Sequence, residues 1–235
     1  MSVIEPYLPF LLRGLLITLE VTGLGVALAL LVAFTAGLSR MSRHRAMRWP
    51  ASTFIEVFRG TSMIVQLFWF FYALPFFGIQ LTPLAAAVLT LGLNEGAYAA
   101  EIVRGAMLSL PVGQTDAAVA LNMTVAQRYR LVLLPQAIPR MLPPFGNVVI
   151  DLLKNSSLVS LVTVADLTFR AQQVRATTGA TTEVFGVIML AYFVVSVLLS
   201  FGRRGIERKV RPEPGAKWTP GSALRLLVLG NRPHL

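Results

Sequence analysis

"GLLITLEVTGLGVALALLVAFTAGL", residues 14–38, contains one ionisable side chain, Glu20, in an otherwise apolar or small-residue run. A helix needs about 20 apolar residues to cross roughly 30 Å of bilayer hydrocarbon. This block meets that requirement and is too long for a signal-peptide core. Only Arg13 supplies positive charge ahead of it, so it reads as a retained membrane span. Blocks of similar character lie near 53–75, 83–108, 137–160 and 184–202. The expected fold is an all-α membrane protein of about five transmembrane helices.

Composition agrees with that reading. The chain is 55% hydrophobic and 14% charged, with a mean hydropathy of +0.67. A soluble domain is rarely so apolar. Without cysteine there is no disulfide framework and no thiolate metal site, and no cofactor is expected. The net charge of +10 does not point to nucleic acid, because the basic residues gather at the ends of apolar blocks. Arg40, Arg43, Arg45 and Arg48 follow the first block. Arg128, Arg130 and Arg140 lie between the third and fourth, and Arg203, Arg204, Arg208, Lys209 and Arg211 follow the fifth. The start of the chain is nearly free of such charge, and "PFFGIQLTP", 75–83, has none. Since cytoplasmic loops are enriched in Lys and Arg, the N-terminus is expected outside and the C-terminus inside. Residues 1–210 then form the permeation domain, and 211–235 a cytoplasmic tail.

Charge at membrane depth is costly and needs a partner, water or the interface. Glu56, Arg59, Met63 and Gln66 recur at helical spacing, as do Asn147, Asp151 and Lys154, and Asn94, Tyr98, Glu101 and Gly105. On one reading Glu56–Arg59, Glu101–Arg104 and Asp151–Lys154 are local ion pairs near the cytoplasmic ends. On the other, some of these stripes face a water-filled pathway. Glu20 and Glu95 have no cation three or four residues away, and Glu95 lies near the middle of its block. Glu20, Gln66, Asn94, Glu95 and Tyr98 are therefore the candidate pathway residues. Gly92, Gly96 and Ala100 form a small-residue pattern that lets helix backbones approach, which speaks for packing and hardly for function.

Between the third and fourth blocks stands "GQTDAAVALNMTVAQRYRLVLLP", residues 113–135, which is alanine-rich and polar. It reads as one short helix outside the membrane, capped by Thr115 or Asp116, with Leu121 and Val125 on one side. A proline-marked span follows. The stretch resembles the EAA loop of ATP-binding-cassette importer permeases, Glu-Ala-Ala-x3-Gly-x9-Ile-x-Leu-Pro. Asp116-Ala117-Ala118, Asn122 and Val132-Leu133-Leu134-Pro135 fall at the matching positions. Asp replaces Glu, and Asn122 replaces a glycine, although Asn tolerates a left-handed backbone. "FRGTSMIVQLFWFFYALP", "GAYAAEIVRGAMLSLPVGQ" and "LLPQAIPRMLPPFGNVVIDLLKNSSLVSLV" are similar to successive spans of the polar amino-acid permeases of that family. Ser62 stands where proline is common there. The resemblance covers roughly residues 10 to 205.

That resemblance implies a permease subunit of a bacterial importer in the inner membrane, surrounded by membrane lipid and carrying a polar amino acid or a similar small zwitterion such as ectoine. It implies a second permease, identical or related, a pair of cytoplasmic ATPase subunits and an external solute-binding protein. The loop 109–136 would couple to the ATPase through Asp116, Ala117, Ala118, Leu121, Asn122, Val125 and Arg128. The chain has no G-x-x-x-x-G-K-[ST] loop to cradle phosphates, so ATP hydrolysis is assigned to another polypeptide. The rival readings are a secondary transporter or channel, which leaves the loop pattern unexplained, and an intramembrane enzyme. The latter lacks H-E-x-x-H and G-x-S-x-G, and His44 and His234 lie outside the spans.

Overall fold

The computed structural model describes residues 4–210, so the expected tail at 211–235 lies outside the described residues. Every regular element among them is helical. Helix α1 (Leu8–Arg40) is 33 residues long, about 50 Å at 1.5 Å per residue. It buries a stripe of small side chains, Gly14, Thr18, Thr22, Gly25, Ala29, Ala33 and Gly37, spaced three or four apart. Helix α2 (Arg45–Gly60) follows, and after Thr61 and Ser62 comes α3 (Met63–Phe68), which runs on through a π-helical stretch and a 3-10 turn to Phe77. The axis turns by 107° at this break, so the block expected at 53–75 is not one straight rod. Thr61 ends α2 in extended backbone, φ −117° and ψ 152°, and Ser62 starts the new helix from φ −68° and ψ 133°.

Helix α4 (Pro83–Leu108) coincides with the expected third block. Thr82 caps it by accepting from the Ala85 amide at 3.2 Å, and Pro83 occupies a first-turn position that needs no donor. It is the central element. A Cβ added at Gly92 would lie 2.6 Å from Leu28, and at Gly96 2.7 Å from Val32. One at Gly37 would meet the Ala100 carbonyl oxygen at 2.8 Å. The small residues of α1 and α4 thus bring two backbones together, as the packing reading of Gly92, Gly96 and Ala100 requires.

Helix α5 (Val112–Ala120) starts after Pro111, so Thr115 and Asp116 lie within it and do not cap it. Proline presets its own φ and keeps the preceding residue out of the helix, placing the start earlier than the polar residues suggested. Leu121–Thr124 make a turn, and helix resumes at α6 (Val125–Gln127). A π-helical stretch, Arg128–Leu133, leads into α7 (Leu134–Asn155), which ends in a 3-10 segment, Ser156–Val162. Helix therefore precedes the expected start at 137 by a dozen positions. The wide turn lies beside the prolines at 135, 139, 143 and 144, each of which removes a backbone donor. Helix α8 (Leu167–Thr178) fills the connection before α9 (Thr181–Val210).

Three helical stretches are long and apolar enough to cross a membrane, Glu5–Arg40, Val125–Val162 and Thr181–Gly205, or four if the bent pair counts as one. Helix α4 falls outside this set because Asn94, Glu95, Glu101 and Arg104 dilute its hydropathy. Val21, Ala29, Leu67, Leu91, Leu152 and Val159 form a core joining α1, α3, α4 and the end of α7. Leu11, Leu167, Val174, Val184 and Ile188 tie α1 to α8 and α9. Leu16, Leu31, Met189 and Leu198 remain exposed, as the outer face of a membrane protein allows.

Candidate functional site: a polar cavity and a turn between helices

The end of α2 leaves carbonyls without helical partners, and buried amides satisfy them. Gln66 Nε2 donates to the Phe58 carbonyl at 2.9 Å and to Thr61 Oγ1 at 2.7 Å. Asn94 Nδ2 donates to the same Phe58 carbonyl at 2.9 Å and to Gln66 Oε1 at 3.0 Å. Tyr98 donates to the Arg59 carbonyl at 3.3 Å. Gln66, Asn94 and Tyr98 thus hold the 107° bend against α4.

Beside this bend opens a cavity of about 680 Å³. Thr61, Ser62 and Met63 form one wall, Asn94, Glu95 and Tyr98 of α4 a second, and Asn147, Asp151, Lys154 and Asn155 of α7 a third. Glu95 is only 6% exposed and accepts from Asn155 Nδ2 at 2.9 Å. Asp151 and Lys154 stand 3.9 Å apart, a loose pair. The cavity therefore offers two carboxylates, one ammonium and several amides, enough to match both ends of a zwitterion.

Asn94, Glu95 and Tyr98 come together here. Gln66 supports the wall from behind, whereas Glu20 lies exposed on α1 and is not among the cavity residues. Asn155 was missed as the partner of Glu95. It adjoins the Asp151–Lys154 stripe in sequence, but only the fold shows which α4 residue it meets. Of the three expected local ion pairs, Glu101–Arg104 forms at 2.8 Å and Asp151–Lys154 is loose. Glu56 turns instead to Arg40 at 3.2 Å, and Arg40 also binds Glu101 at 2.6 Å. The Arg59 guanidinium lies 5.1 Å from the Tyr98 ring centre. Long-range neighbours on α1 and α4 outcompete the local Glu56–Arg59 spacing.

In the turn after α5 Asn122 adopts φ +54°, the left-handed conformation for which glycine is favoured. It closes α5, and its amide donates to the Val119 carbonyl at 2.9 Å. Thr124 then restarts the chain with a capping box to Gln127, so the single expected helix is two helices around a turn. Leu121 is 76% exposed and Val125 57%, while Ala118 is buried against the body. Among the described residues no group of three or more His, Asp or Glu is placed to hold a metal ion.

This arrangement has relatives. Residues 25–212 match the family model for the binding-protein-dependent transport system inner membrane component. The chain belongs to that family. It is the membrane component of a transport system and not an enzyme. The permease is 43% identical to the probable amino-acid ABC transporter permease protein y4tF of Sinorhizobium fredii, over 87% of this chain and 88% of the relative. It is 38% identical to the glutamine transport system permease protein GlnP of Escherichia coli, over 89% and 97%. A crystal structure of an amino acid ABC transporter with histidines superposes with a TM-score of 0.82 at 36% identity, covering 88% of the permease and 96% of that chain.

Proposed function

We propose that this permease forms one half of the pathway of an ATP-driven importer for a polar amino acid or a similar small zwitterion, ectoine included. The observation that carries the solute class is the cavity, whose lining combines Glu95, Asp151 and Lys154 with amide side chains. Relatives named for amino-acid and glutamine transport support it. Glu95, Asn94 and Tyr98 would line the path, with Gln66 bracing it. Five membrane crossings, an outer N-terminus and an inner C-terminus would place α5 and the Asn122 turn in the cytoplasm. Asp116, Ala117, Ala118, Leu121, Asn122, Val125 and Arg128 would there meet the ATPase pair, so that nucleotide-driven closure favours one of two bundle conformations. A second permease would close the cavity, and an external binding protein would deliver the solute.

The test is reconstitution with the ATPase and binding protein in proteoliposomes, scoring uptake of radiolabelled neutral amino acids and ectoine with ATP trapped inside. Nucleotide-dependent accumulation of one of them is expected, and Glu95→Gln should change its rate or specificity while assembly persists. Accumulation without nucleotide would remove the coupling. Parental kinetics for Glu95→Gln, Asp151→Asn and Lys154→Gln alike would remove the cavity from the path.

A further inference from the structure

The hairpin from α1 into α2 carries a charge imbalance whose side chains no residue of the pathway or of the Asn122 turn engages. Arg43, Arg45 and Arg48 are exposed and form no ion pair among the described residues, while Arg40 is committed to Glu56 and Glu101. No acidic residue occurs between Glu20 and Glu56, so nothing nearby in the sequence offsets them. Beside the arginines stand two large apolar side chains, Met47 at 53% exposure and Trp49 at 75%. Arg45 and Trp49 are four residues apart and share a helix face. A soluble surface would not leave an unpartnered tryptophan among three arginines without use. At a bilayer surface the indole occupies the headgroup level and guanidinium groups reach phosphate.

Leu67, in the segment beyond the break, packs with Ala87 and Leu91 of α4. Helix α2 stands at 107° to it, begins beside the Arg40 end of α1 and ends at the Phe58 carbonyl that Asn94 of α4 holds. It is amphipathic, burying Ala51 and Ile55 and exposing its basic residues. A two-faced helix that is only weakly apolar overall, with Arg on its polar side, is the kind that rests in the membrane interface.

We propose that Arg43, Arg45 and Arg48, flanked by Trp49, dock the phosphate headgroups of anionic phospholipids, with the first turns of α2 at the membrane surface. The ligand is lipid, not a free anion, because Trp49 shares a helix face with Arg45, so that one exposed surface carries an indole ring beside a guanidinium. The test uses the assembled transporter in nanodiscs, with Trp69→Phe and Trp218→Phe leaving Trp49 as this chain's reporter. Brominated phosphatidylglycerol and brominated phosphatidylcholine are compared as quenchers at equal mole fraction. Stronger quenching by phosphatidylglycerol is expected. Each Arg→Gln change should weaken that preference about five-fold, and the triple change should abolish it. The triple Arg→Lys variant should retain it, which separates loss of charge from loss of folding. Equal quenching by the two lipids would overturn the proposal, as would a preference that survives the triple Gln change. Shielding of Trp49 from both lipids would show that a protein subunit covers this face, and would overturn it as well.

Discussion

Leu121→Asp combined with Val125→Asp tests whether the Asn122 turn is a contact surface. Leu121 and Val125 keep 76% and 57% of their surface open to water. Fully burying such a side chain contributes about 1.5–3 kcal/mol. Scaled by these exposures, covering both would stabilise a complex by about 2–4 kcal/mol, a factor of roughly 30 to 1,000 in affinity. The aspartates would forfeit that and add desolvation of two carboxylates, so the loss should reach the upper end. The same change should cost the isolated chain little, because neither residue belongs to its core and surface substitutions usually lie within about 0.5 kcal/mol. Co-purification of the ATPase with tagged permease measures the first quantity, and thermal unfolding in detergent the second. Retention of the ATPase at the parental ratio would refute the reasoning. So would a large fall in thermal stability, since the residues would then be supporting the fold.

Two further outcomes follow from geometry. Gly96→Ala places a methyl group 2.7 Å from the Val32 Cβ and should destabilise by about 1–3 kcal/mol, whereas Gly23→Ala meets nothing within 4 Å and should gain up to about 1 kcal/mol. Thermal denaturation should give the two changes opposite signs, and like signs would deny that α1 and α4 are in close contact. Asp166, which caps α8 and lies outside the candidate spans, is fully buried, and its desolvation pushes its carboxyl from 3.8 up to about 6, against the opposing pull of the Phe169 and Thr168 amides. A carboxyl raised on folding favours the fold below its unfolded value and loses that contribution as pH rises through the folded one. The parent should therefore lose stability relative to Asp166→Asn between about pH 4 and 6, and a constant difference in melting temperature would rule this out.

The elements that sequence reasoning located well are those with local punctuation. The block expected at 83–108 coincides with α4, which Pro83 opens, whereas the Asp-Ala-Ala to Leu-Pro stretch, expected as one short helix, is divided by the Asn122 turn. The 107° bend was not legible, because Gly60-Thr61-Ser62 interrupts the hydrophobic pattern only slightly and the amides that sustain the break come from Gln66 and Asn94. Helix α8 was missed for a similar reason: Asp166 looks like one more loop charge until its carboxylate is seen accepting from the Phe169 amide at 2.8 Å. At the cavity, periodicity found Asn94 with Tyr98 and Asp151 with Lys154 as separate stripes. That both face one space depends on how α4 and α7 cross, which pairwise spacing does not encode. Glu20, chosen for the absence of a nearby cation, is exposed on α1 and is not among the residues that line the space.

The carbonyl of Phe58 receives two side-chain donors from different helices, one across the break and one from the bundle's centre. A joint pinned in this way has little freedom to flex by itself. If the two arms of the elbow change their mutual angle during a transport cycle, Asn94 must release or follow, and with it the neighbouring Glu95. The elbow and the lining of the cavity are therefore mechanically one part.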